Sequence, residues 1–431
     1  MANIFHYECC NCGHTISTRE AVYLCPVCEP LNKPGQPPLG VLKVIYPDAG
    51  RLLHGDPETR FRNLKNEGFL PLLPLPDLTC QPPLRIGNTP LYKLDNFYKP
   101  FPGNAPDTSL KAPSHVSDSP EIFIKDDSQN PTFSFKDRAS ALVSGWAAAH
   151  GKQTIIAAST GNAGSSLAGI CASQRQRAVI FVPASAPRAK LTQIVMYGAR
   201  IIPVRGNYDM AFDLTVKASR LFGFYNRNTA FNPLTVEGKK LAAMELYEQL
   251  GFRCPDRLFI PVGDGVILAG LYKGFEDLLH CGIIEQIPVI IAVQAEGSRN
   301  LMDNLHRGQF IARSSSTIAD SISVDIPRNF HMAAGFLKKY QGETIAVTDQ
   351  EIIEAAGNLA RMSGIFAEPA AAAAFAGLLK YNREERLSPG SKNVALLTGS
   401  GLKDPEAVRS AVVLPEPFDP EKDTLEHLFE K

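Results

Sequence analysis

The feature that most restricts the fold of this chain is an alternation, from Ile122 onward, of short apolar runs with longer helix-like stretches. The apolar runs are Glu121–Lys125, Thr154–Ala157, Ala178–Val182, Arg200–Val204, Arg257–Val262, Val289–Gln294 and Asn393–Leu397. The helix-like stretches include Arg138–His150, Ser165–Gln174, Tyr208–Phe222, Val236–Gln249 and Asp349–Met362. Parallel strands need a crossover between them, which is usually a helix. The pattern therefore predicts an α/β fold with mainly parallel sheets.

Charge and hydropathy exclude several classes of protein. The 431 residues include 44 Lys and Arg against 44 Asp and Glu, so the charge balance gives no reason to expect a nucleic acid or a membrane surface as partner. No apolar run is long enough to span a membrane, and the first residues lack the basic and apolar regions of a secretory signal. We therefore expect a cytoplasmic protein.

Two closely spaced cysteine pairs, separated by twelve residues, stand near the N-terminus. The four residues are Cys9, Cys12, Cys25 and Cys28. Two such knuckles are typical of a tetrahedral structural zinc site, and they predict a small zinc-ribbon-like unit over residues 1–30. Cys10 and His14 are further ligand types close by, so the ligand set could differ. Free thiols or a redox pair are the alternatives. The other cysteines show no pairing pattern, which suits a reducing compartment.

Two segments have the composition of connecting chain and not of a hydrophobic core. Residues 31–83 are rich in proline and leucine, which predicts an extended arm. Residues 99–120 are rich in proline, serine and aspartate, which predicts a surface loop. This loop could be a plain insertion or a functional lid.

Lys136 is the first candidate for covalent chemistry. It follows an apolar strand and a turn that contains Pro131, and it then opens a helix. The positive end of the helix dipole disfavours a charged amine, and a neutral amine is what Schiff-base formation requires. On its own the signal is weak, because a lysine beside Asp137 and Arg138 is usually a solvated helix start.

Two glycine-rich turns strengthen this hypothesis. Ala157–Ser166 and Pro261–Ile267 each connect a strand to a helix, and such turns present backbone N–H groups to an anion. A third segment, Ala395–Lys403, ends a strand with a hydroxyl and glycines. A reactive lysine upstream of two such turns points to a phosphorylated cofactor and an anionic substrate group.

With these motifs in order, the chain resembles the fold-type II pyridoxal-phosphate (PLP) enzymes and, among them, the threonine synthase family. The matching segments are Asn130–Arg138, Ser159–Asn162, Gly206–Asp209, Asn232-Pro233, Glu237–Lys239, Gly263–Ile267, Glu368–Ala370 and Thr398–Asp404. The resemblance covers about residues 84 to 410. It implies a two-lobed catalytic region over residues 84–415, with a smaller lobe of roughly 138–230 inserted in the larger one and a tail over 416–431.

The resemblance also assigns roles. Lys136 would bind PLP covalently and act as general base, Asn162 would bond its phenolic oxygen, and Thr398 would meet its pyridine nitrogen. The phosphate of PLP would lie on the backbone of Gly263, Asp264, Gly265, Val266 and Ile267. The substrate carboxylate would lie on Ser159 and Thr160.

Plainer interpretations of these residues remain open. Asn162 could be only a turn residue, and Thr398 only a strand end. Asp264 could contribute its backbone alone. Glu368 reads as the start of a helix, and Asp137 and Arg138 read as a structural pair or a cap.

The implied reaction converts O-phospho-L-homoserine and water to L-threonine and phosphate by γ-elimination and β-addition. The chain departs from the family pattern at Thr235, where an arginine that grips the substrate phosphate is expected. Arg227, Lys239 or Lys240 could supply this charge. The predicted substrate residues are therefore Arg227, Asn228 and Lys239, in addition to Ser159 and Thr160.

Two alternatives stay open at this stage. One is another fold-type II PLP lyase, either an amino-acid ammonia-lyase (dehydratase) or a β-replacement enzyme, which needs no second phosphate pocket. The other is a binding or scaffold protein with a degenerate enzyme core. Converging cations near Arg227 and Asn228 would favour the synthase. The family resemblance also makes a homodimer an expectation.

Overall fold

Within residues 5–18, 20–50, 53–95, 97, 119–412 and 414–420, which this computed structural model describes, the strands form three separate sheets. The strands are β1 (His6–Cys9), β2 (Thr15–Ile16), β3 (Leu42–Ile45), β4 (Leu91–Lys93), β5 (Glu121–Asp126), β6 (Thr154–Ala158), β7 (Arg177–Pro183), β8 (Arg200–Val204), β9 (Tyr225–Asn226), β10 (Arg257–Pro261), β11 (Val289–Ala295), β12 (Glu343–Val347) and β13 (Lys392–Leu397). Most of the predicted loop 99–120 and of the predicted tail 416–431 lies outside the described residues.

The largest sheet has six strands in the order β12–β11–β10–β13–β5–β4. Its neighbours run parallel except for β4, which pairs antiparallel with β5 at the edge. Strand β13 comes last in the chain but lies between β10 and β5, with Val394 opposite both Leu258 and Phe123. A second sheet, β8–β7–β6–β9, is wholly parallel, and its strands lie inside the range 138–230. The α/β prediction with mainly parallel sheets is confirmed.

Twelve helices of the described chain cover or connect these sheets. They are α1 (Pro57–Asn66), α2 (Lys136–Ala149), α3 (Asn162–Ser173), α4 (Arg188–Met196), α5 (Tyr208–Phe222), α6 (Leu234–Glu237), α7 (Leu241–Gln249), α8 (Val266–His280), α9 (Asn300–Asn304), α10 (Phe330–Lys339), α11 (Asp349–Ser363) and α12 (Pro369–Arg383). Local sequence sets several ends. The side chain of Asn207 caps α5, which stops at Gly223 with φ of 66°, and Thr348 and Glu351 form a capping box on α11.

The helix predicted over Val236–Gln249 is instead two helices, α6 and α7, separated at Gly238–Lys240. The reason is packing against α2. A Cβ on Gly238 would lie 2.4 Å from the carbonyl oxygen of Arg138, so only glycine allows this approach. The break turns Lys239 and Lys240 into junction residues, which matters for the site below.

The predicted arm, residues 31–83, is partly packed against the rest of the protein. Strand β3 joins the N-terminal sheet in the order β2–β1–β3, and α1 buries Phe61 and Leu64 completely. Two polar contacts hold this sheet on the body: the Tyr46 hydroxyl donates to Glu237 at 2.9 Å, and Lys43 Nζ lies 3.3 Å from Glu276. No helix of the described ranges has the length and the apolar character that crossing a membrane would require.

Candidate active site

A cavity of about 460 Å³ lies at the carboxyl ends of β6 and β10, one strand from each of the two parallel sheets. Its walls include Lys136, Ser159, Thr160, Asn162, Lys239 and Gly263–Ile267. A larger cavity of about 630 Å³ lies beside β4, but it touches neither Lys136 nor either glycine-rich turn. In parallel α/β sheets, ligands bind at the carboxyl ends of strands, so the first cavity is the candidate active site.

Lys136 is the first residue of α2, and its surroundings favour the neutral amine. Burial lowers the pKa of Lys136, and the nearby Arg227 lowers it further, while Glu368 and Asp264 oppose the change. The neighbours of Lys136 turn away from it. Asp137 accepts hydrogen bonds from Thr132, and Arg138 pairs with Asp127 and Glu245, so both residues have structural contacts, as expected, although they do not pair with each other. A neutral amine in this cavity can act as a nucleophile or a base.

The first glycine-rich turn brings Ser159 and Thr160 to the cavity wall. Helix α3 begins at Asn162, directly after this turn. A Cβ on Gly164 would lie 2.5 Å from the carbonyl oxygen of Ser159, so the first turn of the helix folds tightly back onto the strand end. Two hydroxyls and the N-terminus of α3 therefore border the cavity together, which suits a carboxylate.

The second glycine-rich turn forms a close-fitting cradle before α8. A Cβ on Gly263 would lie 2.9 Å from the Cα of Ile322. Gly265 has φ of 82°, and a Cβ there would lie 2.8 Å from the Cβ of Ala333. The first hydrogen bond inside α8 runs from the Ala269 amide to the Gly265 carbonyl oxygen. The amides of Val266, Ile267 and Leu268 therefore have no acceptor within the helix. A phosphate group fits this cradle.

Asp264 stands in the cradle, and its carboxylate is engaged by the backbone of a neighbouring segment. The side chain accepts a hydrogen bond from the Arg328 amide at 3.1 Å, and the carbonyl oxygen accepts one from the Asn329 amide at 3.0 Å. These contacts agree with the interpretation that Asp264 contributes backbone only to an anion site.

Two buried basic residues, Arg227 and Lys239, form no ion pair within 4.0 Å among the residues that the structure describes. Arg227 is 1% exposed and donates to the hydroxyls of Ser140 and Thr229, while its Nη2 has no partner. Lys239 is fully buried and donates to the Thr235 carbonyl oxygen at 2.6 Å. Burial lowers the pKa of Arg227 to about 10, and burial together with Arg227 and Lys136 lowers the pKa of Lys239 well below its usual value. A bound phosphate group would favour the protonated form of Lys239 and would accept hydrogen bonds from both residues, so the pair is suited to an anion.

The two cations differ in their access to the cavity. Lys239 and Thr229 line it, whereas Arg227 lies behind Thr229 at 2.9 Å. Lys240, the other cation considered for the missing arginine, forms ion pairs with Glu237 and Asp277 and is not available. Thr235, which occupies the arginine position, holds its own turn by donating to the Asn232 carbonyl oxygen at 2.7 Å.

Asn228, a predicted substrate residue, is engaged in the protein framework. Its Oδ1 accepts from the Ala158 amide at 2.8 Å, and its Nδ2 donates to Thr215 at 2.6 Å. The side chain thus ties the end of β6 to α5 and does not line the cavity. Asn228 is next to Arg227 in sequence, and its contacts indicate a structural role and not a role in substrate binding.

Thr398 and Glu368 lie at the carboxyl end of β13. The Thr398 carbonyl oxygen accepts a hydrogen bond from the Phe135 amide at 2.9 Å, which places Thr398 beside the Lys136 turn, although it is not part of the cavity wall. Helix α12 starts at Pro369 as expected, with Glu368 as the residue before it. The structure adds that Nδ2 of Asn162 donates to both carboxylate oxygens of Glu368 at 2.9 Å.

The sequence analysis missed one wall of the cavity. The segment from Asp320 to Arg328 borders it, together with Tyr208 and Asp209 from the start of α5. Arg328 pairs with Asp209 and lies 3.8 Å over the ring of Phe212. Only Tyr208 and Asp209 had a signal in the sequence, since they belong to one of the matching family segments.

The four paired cysteines come together in the N-terminal unit. The sulfur atoms of Cys9, Cys12, Cys25 and Cys28 lie within 4.8 Å of one another. Two of the distances, Cys9 to Cys28 and Cys12 to Cys25, are 3.8 Å. A zinc ion bound tetrahedrally at about 2.3 Å from each sulfur would separate the sulfurs by about 3.8 Å. The donor set and its spacing therefore fit zinc, and Cys10 and His14 lie outside the cluster.

Comparisons with known proteins agree with this geometry. The family model described as "Pyridoxal-phosphate dependent enzyme" matches residues 83–399. A threonine synthase of Methanocaldococcus jannaschii is 31% identical over 430 residues, which cover 98% of this chain and 99% of that protein. A threonine synthase of Halalkalibacterium halodurans is 33% identical over 355 residues, which cover 82% of this chain and 93% of that protein.

Solved structures share the fold at low sequence identity. The diaminopropionate ammonia lyase of Escherichia coli has a TM-score of 0.62 at 17% identity, with 75% of this chain and 88% of that chain covered. An L-serine ammonia-lyase of Rhizomucor miehei has a TM-score of 0.60 at 20% identity, with 75% and 97% covered.

Proposed function

We propose that this chain, which belongs to the pyridoxal-phosphate dependent enzymes and among them to the threonine synthases, converts O-phospho-L-homoserine and water to L-threonine and phosphate. The observation that carries the proposal is a pair of buried basic residues, Lys239 and Arg227, which lie near Lys136 in addition to the backbone amides of the α8 cradle. One anion site suffices for a phosphorylated cofactor. A second site is what a phosphorylated substrate requires.

The residues that would hold PLP are those of the cradle, Lys136 and Asn162. The amides at the start of α8, from Gly263 to Ile267, would bind its phosphate, and Lys136 would hold it covalently. Asn162 would donate to its phenolic oxygen, and the hydroxyl of Thr398 would hydrogen-bond to its pyridine nitrogen. When bound, PLP withdraws electrons from the substrate carbons and makes their protons acidic.

The protein's own groups would then steer the reaction. The neutral amine of Lys136 would take and return protons at Cα and Cβ of the substrate. Ser159 and Thr160 would hold the substrate carboxylate, and this contact would fix which side of the substrate faces Lys136. Lys239, supported by Arg227 through Thr229, would bind the phosphate group and stabilise its negative charge as the Cγ–O bond breaks.

We propose a structural role for the remaining features. The four cysteines would hold one zinc ion in a zinc-ribbon-like unit over residues 1–30. The catalytic region would span residues 84–415, with a smaller lobe of roughly 138–230. The expectations of a homodimer and of a cytoplasmic location stay predictions.

The decisive experiment measures phosphate release and threonine formation from O-phospho-L-homoserine in the same sample. We expect equal amounts of both products from the wild-type protein and neither from Lys136→Ala. A protein that binds PLP but releases no phosphate would overturn the proposal. Keto-acid formation from serine or threonine at rates above those with O-phospho-L-homoserine would instead assign an ammonia-lyase.

A further inference from the structure

Glu368 is a buried carboxylate in the site to which the reaction above gives no role. It is 4% exposed and lies between the first turn of α3 and the end of β13. Among the described residues, its carboxylate accepts hydrogen bonds from Asn162, and no lysine, arginine or histidine lies within 4.0 Å of it. Burial raises the pKa of Glu368, while the hydrogen bonds from Asn162 and the nearby Lys136 and Lys403 oppose this change and favour the ionised carboxylate.

The fold makes specific room for this carboxylate. A Cβ on Gly399 would lie 2.5 Å from Oε1 and 2.6 Å from Cδ of Glu368, so an alanine there would displace the carboxylate from this position. The Glu368 amide donates to the Gly399 carbonyl oxygen at 3.1 Å, which fixes the backbone of the acid on the strand end. The carboxylate therefore lies against Gly399 and faces Asn162.

A carboxylate is an acceptor only, whereas the side-chain amide of asparagine has a donor end and an acceptor end. Because the Glu368 carboxylate lies opposite, the Asn162 amide must direct its Nδ2 toward the two carboxylate oxygens, each of which is 2.9 Å away. A single N–H bond can point between the two oxygens, and Nδ2 then retains its second hydrogen. That hydrogen is available to an acceptor in the cavity, which Asn162 lines.

We infer that Glu368 is a positioning residue that fixes the Asn162 amide with its donor end toward the phenolic oxygen of PLP. This inference rests on the proposed function for the identity of the cofactor. In the absence of Glu368 the amide could turn over, and its Oδ1 would then face another oxygen. The residue acts through Asn162 and touches no substrate atom.

The test measures PLP binding to the cofactor-free protein by absorbance and fluorescence titration. Glu368→Gln keeps the size of the side chain but offers a donor as well as an acceptor, so both orientations of Asn162 become possible. We expect an about tenfold loss of PLP affinity, the effect of one lost hydrogen bond to a charged group. We also expect a shifted cofactor absorbance band. Glu384→Gln, at the exposed end of α12, is the matched control and should change neither quantity.

A double-mutant cycle separates positioning from general structural damage. In an Asn162→Ala background, Glu368→Gln should change PLP affinity by less than about twofold, because its effect passes through Asn162. Gly399→Ala, which displaces the carboxylate, gives a second route to the same loss if Glu368→Gln fails to fold. Wild-type affinity in Glu368→Gln, or an undiminished tenfold effect in the Asn162→Ala background, would overturn the inference. Wild-type protein that binds PLP yet releases no phosphate would overturn only the proposed function.

Discussion

Lys239 and Lys240 are neighbours in sequence, yet their amines lie in opposite electrostatic environments. Lys239 lines the cavity, and its Nζ donates to the neutral Thr235 carbonyl oxygen. Nζ of Lys240 lies 2.5 Å from Glu237 and 2.8 Å from Asp277, in a buried cluster that also includes Lys273. One lysine is thus free to meet an anion, and the other is part of the framework.

This contrast predicts different consequences for two otherwise identical substitutions. Lys239→Met should raise KM for O-phospho-L-homoserine about tenfold or more, because a charge-assisted contact to phosphate is lost, while the thermal midpoint stays close to that of the wild type. Lys240→Met should instead lower the unfolding free energy by about 3–5 kcal/mol, because buried Glu237 and Asp277 lose a partner. Steady-state kinetics and thermal unfolding of both variants check the pair. An unchanged KM in Lys239→Met would contradict the substrate assignment.

The pH dependence of substrate binding follows from the same lysine. Burial, Arg227 and Lys136 lower the pKa of Lys239 well below its usual value, so the amine loses its proton at a lower pH than an exposed lysine. Phosphate binding needs the protonated amine. KM for the phosphorylated substrate should therefore rise as pH increases through the depressed pKa, and this rise should be absent in Lys239→Met. A rise of equal size in the variant would assign the titration to another group.

Gly265 offers a test of the cofactor cradle. Gly265→Ala places a Cβ 2.8 Å from Ala333 at φ of 82°, so the start of α8 must move. We expect an about tenfold loss of PLP affinity, because the amides at that helix start lose their alignment with phosphate. Gly251→Ala is the control, since Gly251 has φ of 75° but no atom within 4 Å of its added Cβ. Its cost is about 1 kcal/mol of backbone strain and should leave PLP binding unchanged.

The cysteine cluster predicts one zinc ion per chain. Cys9→Ser should abolish stoichiometric zinc measured by atomic emission, whereas Cys10→Ser, one residue away but outside the cluster, should retain it. A chelator should lower the thermal midpoint of the wild type, because a structural metal contributes to folding free energy. Full zinc content in Cys9→Ser would exclude this ligand set.

Glu276 predicts a loss of stability in acid. Burial alone would raise its pKa, but Lys43, Lys339 and Tyr340 outweigh this effect and lower the pKa to about 2. The pKa of Glu276 is near 4.5 in the unfolded chain and about 2 in the folded protein. The ionised carboxylate therefore stabilises the fold at pH values above 4.5, and this stabilisation is lost as the pH falls from 4.5 toward 2. Relative to Glu276→Gln, the wild type should lose on the order of 2–3 kcal/mol of unfolding free energy across this window. Chemical denaturation at pH 5, 4 and 3 measures it, and a constant difference would refute the linkage.

Local patterns in the sequence identified seven strands of the two main sheets. Each apolar run named from the sequence is a strand, since buried parallel strands are short, apolar and separated by helices. Three strands of these sheets were not identified. The strands β4 and β9 are too short to show a period, and the edge strand β12 begins with the polar residues Glu343 and Thr344. The break at Gly238 was also missed, since it depends on the approach of a distant helix, α2.

The candidate site was predictable where chemistry and spacing lie within one segment. Lys136 and the two glycine-rich turns meet at one cavity, as their motifs suggested. The sequence could not separate Lys239 from Lys240, because what distinguishes them is the position of Asp277, 37 residues beyond Lys240. Nor could it show that Glu368 faces Asn162, which is 206 residues away along the chain.

The central place of β13 has a consequence for how the protein is made. Strands β6 to β9 are complete once Asn226 has left the ribosome, so their sheet can form early. The six-stranded sheet cannot, because Lys392–Leu397 must insert between β5 and β10. At about 5–20 residues per second, β5 waits tens of seconds for its permanent neighbour on that side. During synthesis the apolar edges of β5 and β10 are unpaired and can associate with other chains. The yield of active protein therefore depends on how well the nascent chain is protected from aggregation until β13 has been synthesised.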